Sequence, residues 1–175
     1  MMKIFITRLD KTQLNDEEYS AIQTRIRTQR ASGDFLCLDF EARKRSRLAA
    51  VTEQGVKVAI DLPRTDTIKD GSVLATSEGE IIEVIAKPQQ LTEVRADTLF
   101  ALMRGAYHLG NRHVPLMLSK DCLYFEPDYV LEAMLHSMGL QTAPVQMGFE
   151  PEIGAYQSAH AHHHHKDNNF VFIKS

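Results

Sequence analysis

Short alternating segments dominate the first half of the chain. "KIFITRL" (3–9) and "DFLCLDFEA" (34–42) alternate apolar and polar positions, and this period of two predicts β-strands. "RSRLAAVTEQGVKVAIDLP" (45–63) and "TIKDGSVLATSEGEIIEVIAK" (67–87) add further short strands, which glycine turns separate. About six strands at such close spacing predict a small β-sandwich or barrel over residues 1–87.

The strand rhythm stops at the linker-like "KPQQ" (87–90), and a helical period follows. "QLTEVRA" (90–96) is predicted as a strand, Asp97 as a helix N-cap, and Gly110 as the left-handed residue that ends the helix. The apolar positions at helical spacing are Phe100, Met103, Ala106 and Tyr107.

The remaining elements complete a recognisable order. "VPLMLS" (114–119) and "CLYFEP" (122–127) are predicted strands, a second helix begins after Asp128 and ends at Gly139, and "TAPVQMGFE" (142–150) is the final strand. The sequence β-α-β-β-α-β is that of the ferredoxin-like arrangement, a four-stranded antiparallel sheet with two helices on one face.

The predicted fold class is therefore α+β with three parts. A β domain occupies residues 1–87, a ferredoxin-like domain occupies 88–152, and the histidine-rich remainder, 153–175, is predicted to be a disordered tail.

Composition narrows the function. Hydrophobic residues make up 43% of the 175 positions, and the net charge of −3 argues against a chain that binds nucleic acid along its whole surface. Cys37 and Cys122 form no C-x-x-C pair, so neither a disulfide framework nor a thiolate zinc site is expected. The sequence contains no signal peptide core or membrane span, which makes the cytoplasm the expected location.

No catalytic motif is present. The phosphate-binding, dinucleotide-binding, zincin and nucleophile-elbow patterns are all missing, so the chain is not expected to be an enzyme. The basic run "ARKRSR" (42–47), with Arg25, Arg27 and Arg30, is interpreted as a solvated strand face, with protein docking or nucleic-acid binding as alternatives.

Histidine is the residue type that points to chemistry. Five of the eight histidines lie within 160–165, and such density favours binding of nickel, copper or zinc. An expression tag or a solvated tail without a role are the alternatives, although "KDNNFVFIKS" (166–175) follows the run and does not resemble a tag. The candidate ligands in the tail are His160, His162, His163, His164 and His165.

His113 is the further candidate ligand, because it follows the predicted helix end and precedes Pro115. His108 cannot share an ion with His113, since five residues turn a helix by about 140°. His108 is interpreted as a partly buried helix residue, and His136 as a surface residue.

"AYHLGNRHVPLML" (106–118), "DYVLEAMLHSMGL" (128–140) and "FEPEIGAY" (149–156) resemble the UreE family of urease accessory proteins, which carry nickel to urease. "LPR" (62–64) and "DGSVL" (70–74) resemble the N-terminal domain of that family, so the resemblance spans nearly the whole chain.

The resemblance implies a role for each candidate. His113 matches the histidine that binds nickel at the centre of a homodimer, and His160 and His162 match additional ligands that some relatives carry; His163, His164 and His165 add capacity. It also implies a peptide-binding β domain, a metal-binding and dimerising ferredoxin-like domain, and delivery of Ni(II) to the urease accessory GTPase and activation complex. Where certain relatives have His-Asp-His-Val, residues 127–130 read Pro-Asp-Tyr-Val, so a site built on those histidines is not expected.

Two other functions fit the sequence. One is a general buffer or store for zinc, copper and nickel, because imidazole ligands bind all three and Zn(II) or Cu(II) binding in vitro is expected. The other is a peptide-binding chaperone module in which the histidines are incidental.

Overall fold

The computed structural model of the chain describes residues 2–152, and the predicted disordered tail lies outside these residues. The described residues divide into two units, one that extends to Ile85 and one over Ala86–Glu152.

The first unit is built from two β-sheets. Its strands are β1 (Lys3–Phe5), β2 (Thr7–Leu9), β3 (Leu36–Leu38), β4 (Arg47–Val51), β5 (Lys57–Asp61), β6 (Ser72–Ala75) and β7 (Ile81–Ala86). One sheet has the order β1-β5-β4, with β1 parallel to β5, and the other has the order β2-β6-β7-β3.

The two sheets share one hydrophobic core. Phe5 and Ile60 from the first sheet are buried together with Leu36, Leu74 and Val84 from the second, each at most 2% exposed. Inward-facing side chains of both sheets therefore form the core of a sandwich, as the alternating pattern predicted.

A long helix, α1 (Asp16–Ser32), was not predicted. It covers the outer face of the four-stranded sheet, where Ile22 and Ile26 pack against Val73 and Ile81. This second covering layer explains why β7 is buried on both faces and reads as a nearly continuous apolar run. Only two positions of α1 are buried, so its helical stripe is too narrow to stand out.

The sequence nevertheless contained end signals for α1. Asn15 and Glu18 form a capping box, with reciprocal hydrogen bonds of 2.9 and 3.0 Å, and Gly33 closes the helix in a left-handed conformation. A capping residue three positions before a glutamate, here Asn15 before Glu18, marks the start of a helix, and the hydrophobic pattern alone does not show it.

The predicted strand over 34–42 is also only partly correct. Strand β3 ends at Leu38, because Asp39 accepts the Ala42 amide and caps a short helix, α2 (Phe40–Arg43). The basic run does not form one solvated strand face, since Arg43 is 3% exposed and lies in α2.

The second unit has the predicted ferredoxin-like topology. Its elements are β8 (Gln89–Arg95), α3 (Leu99–Gly110), β9 (Met117–Leu118), β10 (Leu123–Phe125), α4 (Tyr129–Ser137) and β11 (Gln141–Met147). All pairings in its sheet are antiparallel, and the order β11-β8-β10-β9 places the first and last strands side by side.

Both helices of this unit pack on the same face of the sheet. Val94, Leu123 and Phe125 form a core with Leu109 of α3 and Leu135 of α4. Asp128 caps α4 as predicted, with its carboxylate accepting the amides of Val130 and Leu131. Helix α3 is capped by Thr98, one residue later than the predicted Asp97.

Candidate metal site and the end of helix α3

Helix α3 has two apolar faces of different accessibility. Leu102, Gly105 and Leu109, spaced three and four residues apart, face the core. The large side chains that the same helix exposes are Leu99 (66%), Phe100 (71%), Met103 (61%) and Tyr107 (65%). Helix α3 is therefore apolar on both faces, but only one face is buried within the described chain.

His113 lies at the end of this helix in a left-handed conformation. Its amide donates to the Gly110 carbonyl at 2.9 Å, and the Val114 amide donates to the Leu109 carbonyl at 3.3 Å. These two bonds are the pattern by which a helix closes on a left-handed residue, and that residue here is His113, with φ of 57°.

The left-handed residue that ends α3 is therefore His113, three residues after the predicted Gly110. Gly110 belongs to α3 and does not have positive φ. Within residues 2–152, His113 alone has positive φ without being glycine. Left-handed backbone costs a side-chain-bearing residue roughly 1–2 kcal/mol, although histidine occurs there more often than most.

The neighbours of His113 fix its backbone and leave its ring accessible. The Arg112 guanidinium reaches back along the helix and donates to the His108 carbonyl at 2.9 Å. Val114 packs against the core, which includes Leu109. His113 itself is exposed, and no hydrogen bond joins its ring to the described part of the chain.

The other histidines of the described region agree with their predicted interpretations. His108 is partly buried, with its ring edge-on to Tyr107 at 5.4 Å between centroids. His136 is exposed, and its Nε2 lies 2.7 Å from the Thr142 hydroxyl. Among residues 2–152, no three His, Cys, Asp or Glu side chains come together as a metal site. His160, His162, His163, His164 and His165 lie outside the described residues.

The segment after β11 passes from one edge of the sheet to the other, which the sequence pattern did not predict. Met147 ends β11 at one edge, and five residues later the Glu152 amide donates to the Leu116 carbonyl at 2.7 Å, beside β9 at the opposite edge. Between them Phe149 is fully buried, and the Glu150 amide lies 3.3 Å from the Met117 sulfur. We call residues 148–152 the crossing segment.

The crossing segment ends near His113, because the last described residue, Glu152, is bonded to Leu116. Leu116 is three residues after His113, so their Cα atoms are at most about 11 Å apart. Gly148 permits the passage, because a Cβ there would meet the Ala86 Cβ at 2.9 Å.

Cys122 has a structural role in the same unit. It is 1% exposed, and its thiol donates to the Tyr124 hydroxyl at 3.0 Å. This bond, together with burial and the nearby Glu93 carboxylate, raises the pKa of Tyr124 well above its ordinary value. Cys122 thus resembles the reduced core thiol that the sequence predicted.

Comparison with known proteins covers both units. The family model for the N-terminal domain of the UreE urease accessory protein matches residues 17–87, and the model for its C-terminal domain matches residues 89–170. No helix among residues 2–152 is long and apolar enough to cross a membrane.

Several bacterial proteins named urease accessory protein UreE are similar in sequence. The one from Acinetobacter baylyi is 44% identical over 99% of this chain and 97% of its own. The one from Acinetobacter baumannii (strain AYE) is 50% identical over 73% of this chain and 79% of its own. The one from Ectopseudomonas mendocina is 45% identical over 86% of this chain and 92% of its own. The chain therefore belongs to the UreE family of urease accessory proteins, whose known role is nickel delivery for urease maturation.

Proposed function

We propose that this chain is a nickel metallochaperone that works as a homodimer, with His113 of both copies as the anchor of its metal site. The observation that carries the proposal is an exposed histidine in a strained left-handed conformation, at the end of a helix whose outer face is apolar. Strain of this kind persists where the surrounding structure enforces it, and such residues cluster at functional sites.

The exposed apolar face of α3 supports the homodimer. Phe100, Met103 and Tyr107 follow one another at helical spacing and are each more than half exposed. A contiguous apolar surface of this kind marks an interaction site. In a two-fold dimer the same patch meets itself, so one residue at its end is brought near its symmetry mate and two copies supply two ligands.

The crossing segment supports participation of the tail. Glu152, the last described residue, is bonded to Leu116, which follows His113 by three residues. His160 follows Glu152 by eight residues, and eight residues of extended chain reach up to about 29 Å. A tethered imidazole is present at an effective concentration of order mM, which allows His160, His162, His163, His164 and His165 to complete and release the site reversibly.

The ligand chemistry fits nickel without excluding its neighbours. Imidazole nitrogens bind nickel, copper and zinc, and copper binds most tightly in the intrinsic order. Zn(II) and Cu(II) are therefore expected to compete in vitro. The family role, urease maturation, is what favours nickel as cargo.

The remaining parts of the proposal follow from family membership. The recipient is the accessory GTPase of the urease activation complex, the location is the cytoplasm, and the chain carries metal without catalysing a reaction. The β domain at 1–87 takes the peptide-binding role and the domain at 88–152 the metal-binding and dimerising role.

Nickel calorimetry on His113→Ala tests the anchor, with His136→Ala as the matched control because His136 is an exposed histidine of the same unit. We expect His113→Ala to abolish the tightest site and His136→Ala to retain it. Unchanged affinity and stoichiometry in His113→Ala would remove His113 from the site.

Native mass spectrometry during a nickel titration tests the dimer and the tail together. A chain that ends at Ala155 is expected to remain dimeric, keep one tight site and bind fewer ions in total. If nickel binding disappeared entirely, the tail would be the principal site instead.

A further inference from the structure

A cavity in the first unit has a composition that the nickel site does not explain. It lies where β2, the turn after it, the first half of α1 and the start of β6 meet, and its volume is about 290 Å³. Its apolar floor includes Leu9, Leu14, Ile22 and Val73. Its charged lining residues are Arg8, Lys11, Lys69 and the single carboxylate Asp70.

Arg8 is the best defined of these cations, and its hydrogen bonding is incomplete. Its Nε is buried and has no hydrogen-bond partner in the described chain. Its Nη2 lies 3.8 Å from the Asp10 carboxylate, which is beyond hydrogen-bond distance. That carboxylate is already engaged, because its Oδ1 accepts the Thr12 amide at 2.9 Å and the Thr12 hydroxyl at 2.8 Å.

The two lysines are also available to a ligand. The Lys11 ammonium lies over the Tyr19 ring, 4.7 Å from its centroid, and forms no ion pair with a residue of 2–152. Lys69 is exposed and, within the same residues, its ammonium has no carboxylate partner either. Three cations over an apolar floor attract an anion that is attached to an apolar group.

The position of the cavity on the sheet favours a polypeptide over a small anion. Arg8 and Leu9 belong to β2, and β2 is the edge strand of the four-stranded sheet. An edge strand offers unpaired backbone groups to which an extended segment can add. Guanidinium groups pair with carboxylates through two parallel bonds, and a buried donor without a partner costs roughly 1–3 kcal/mol until it gains one.

We propose that this cavity, which we call the β2 pocket, binds an acidic side chain of a partner polypeptide, together with the apolar residue beside it. The carboxylate pairs with Arg8 after a small rotation of its side chain, which is 32% exposed, and Lys11 and Lys69 add charge complementarity. The volume is at the small end of ligand sites, so it accommodates one or two side chains. The proposal rests on the peptide-binding role proposed above for the β domain, and it is independent of nickel binding.

The test is an amide NMR titration of the full chain with a pool of acetylated tripeptide amides of the pattern apolar–Glu–apolar. We expect shifts at Thr7, Leu9 and Ser72, and none with the matching Gln pool. Arg8→Gln is expected to weaken binding about tenfold, as for loss of a charge-assisted hydrogen bond. The control Arg47→Gln removes an exposed arginine that is paired with Asp61 outside the pocket, and it should bind normally.

Three outcomes would overturn the proposal. They are no shifts with the Glu pool, equal shifts with the Gln pool, or unchanged binding in an Arg8→Gln variant whose spectrum shows a folded chain. Inorganic phosphate is titrated in parallel, and shifts at the same amides with phosphate but not with the Glu pool would identify a free-anion site instead. Nickel binding should be unchanged in Arg8→Gln, so this test fails or succeeds apart from the metal site.

Discussion

The carbonyl of Leu109 accepts the amide of Val114 at 3.3 Å, and this bond spans His113. Leu109 is fully buried and Val114 packs with it in the core. The left-handed backbone of His113 is therefore set by its neighbours on either side, and its own side chain contributes nothing to the turn.

Stability and metal binding should separate at His113. Glycine adopts the left-handed conformation without the steric cost of a Cβ, so His113→Gly is expected to raise the free energy of unfolding by up to about 1 kcal/mol and to lose the tightest nickel site. His113→Val should lose the same site and destabilise the chain, because β-branched residues are strained there. Urea unfolding and nickel calorimetry measure the two effects. A less stable glycine variant would contradict this account of the turn.

Dimerisation should depend on the exposed face of α3. Met103→Glu places a charge in the centre of that face, where burial of an unpaired carboxylate is costly, and it is expected to yield monomers without the tightest nickel site. Ala133→Glu adds the same charge at an exposed position of α4 and should leave the dimer intact. Sedimentation velocity distinguishes them, and a dimeric Met103→Glu variant would require another interface.

The crossing segment should control how well the tail reaches the metal. Gly148→Ala brings a Cβ to 2.9 Å from the Ala86 Cβ, so the segment must shift. We expect the number of nickel ions bound per dimer to fall toward that of the chain ending at Ala155. Gly105→Ala is the control, since its Cβ would meet the Leu140 side chain at 2.7 Å on the helix side of the sheet. Equal losses of bound nickel in both variants would indicate general destabilisation instead.

Arg30, one of the arginines considered with the basic run, should contribute to the stability of the fold. Arg30 donates through Nε and Nη2 to both oxygens of Glu83, at 3.0 and 2.6 Å, and the Glu83 side chain is only 8% exposed. Arg30→Met leaves that carboxylate without its bidentate partner and is expected to cost about 1–3 kcal/mol. Arg27→Met, on the exposed face of the same helix, should change stability by less than about 0.5 kcal/mol. Thermal unfolding of the two variants makes the comparison, and equal midpoints would show that the pair contributes nothing.

Much of the fold was predictable because it is encoded locally. The period-two segments, the glycine turns and the Asp128 cap predict most strands of both units and helix α4 correctly. Helix α1 was missed because only Ile22 and Ile26 are buried in it, and two apolar positions form no visible stripe among charged residues. Its capping box and Gly33 were the only local signals.

The candidate site was predictable in composition and not in geometry. Residue types and spacing alone predicted histidine as the metal ligand and placed His113 just after a helix. The tertiary structure decided that His113 rather than Gly110 is left-handed, that the outer face of α3 stays apolar and open, and that residues 148–152 return to the same edge. The path of residues 148–152 depends on contacts between residues far apart in the chain, such as the hydrogen bond from the Glu152 amide to the Leu116 carbonyl, whereas spacing along the sequence reports only on neighbours within a turn or a strand.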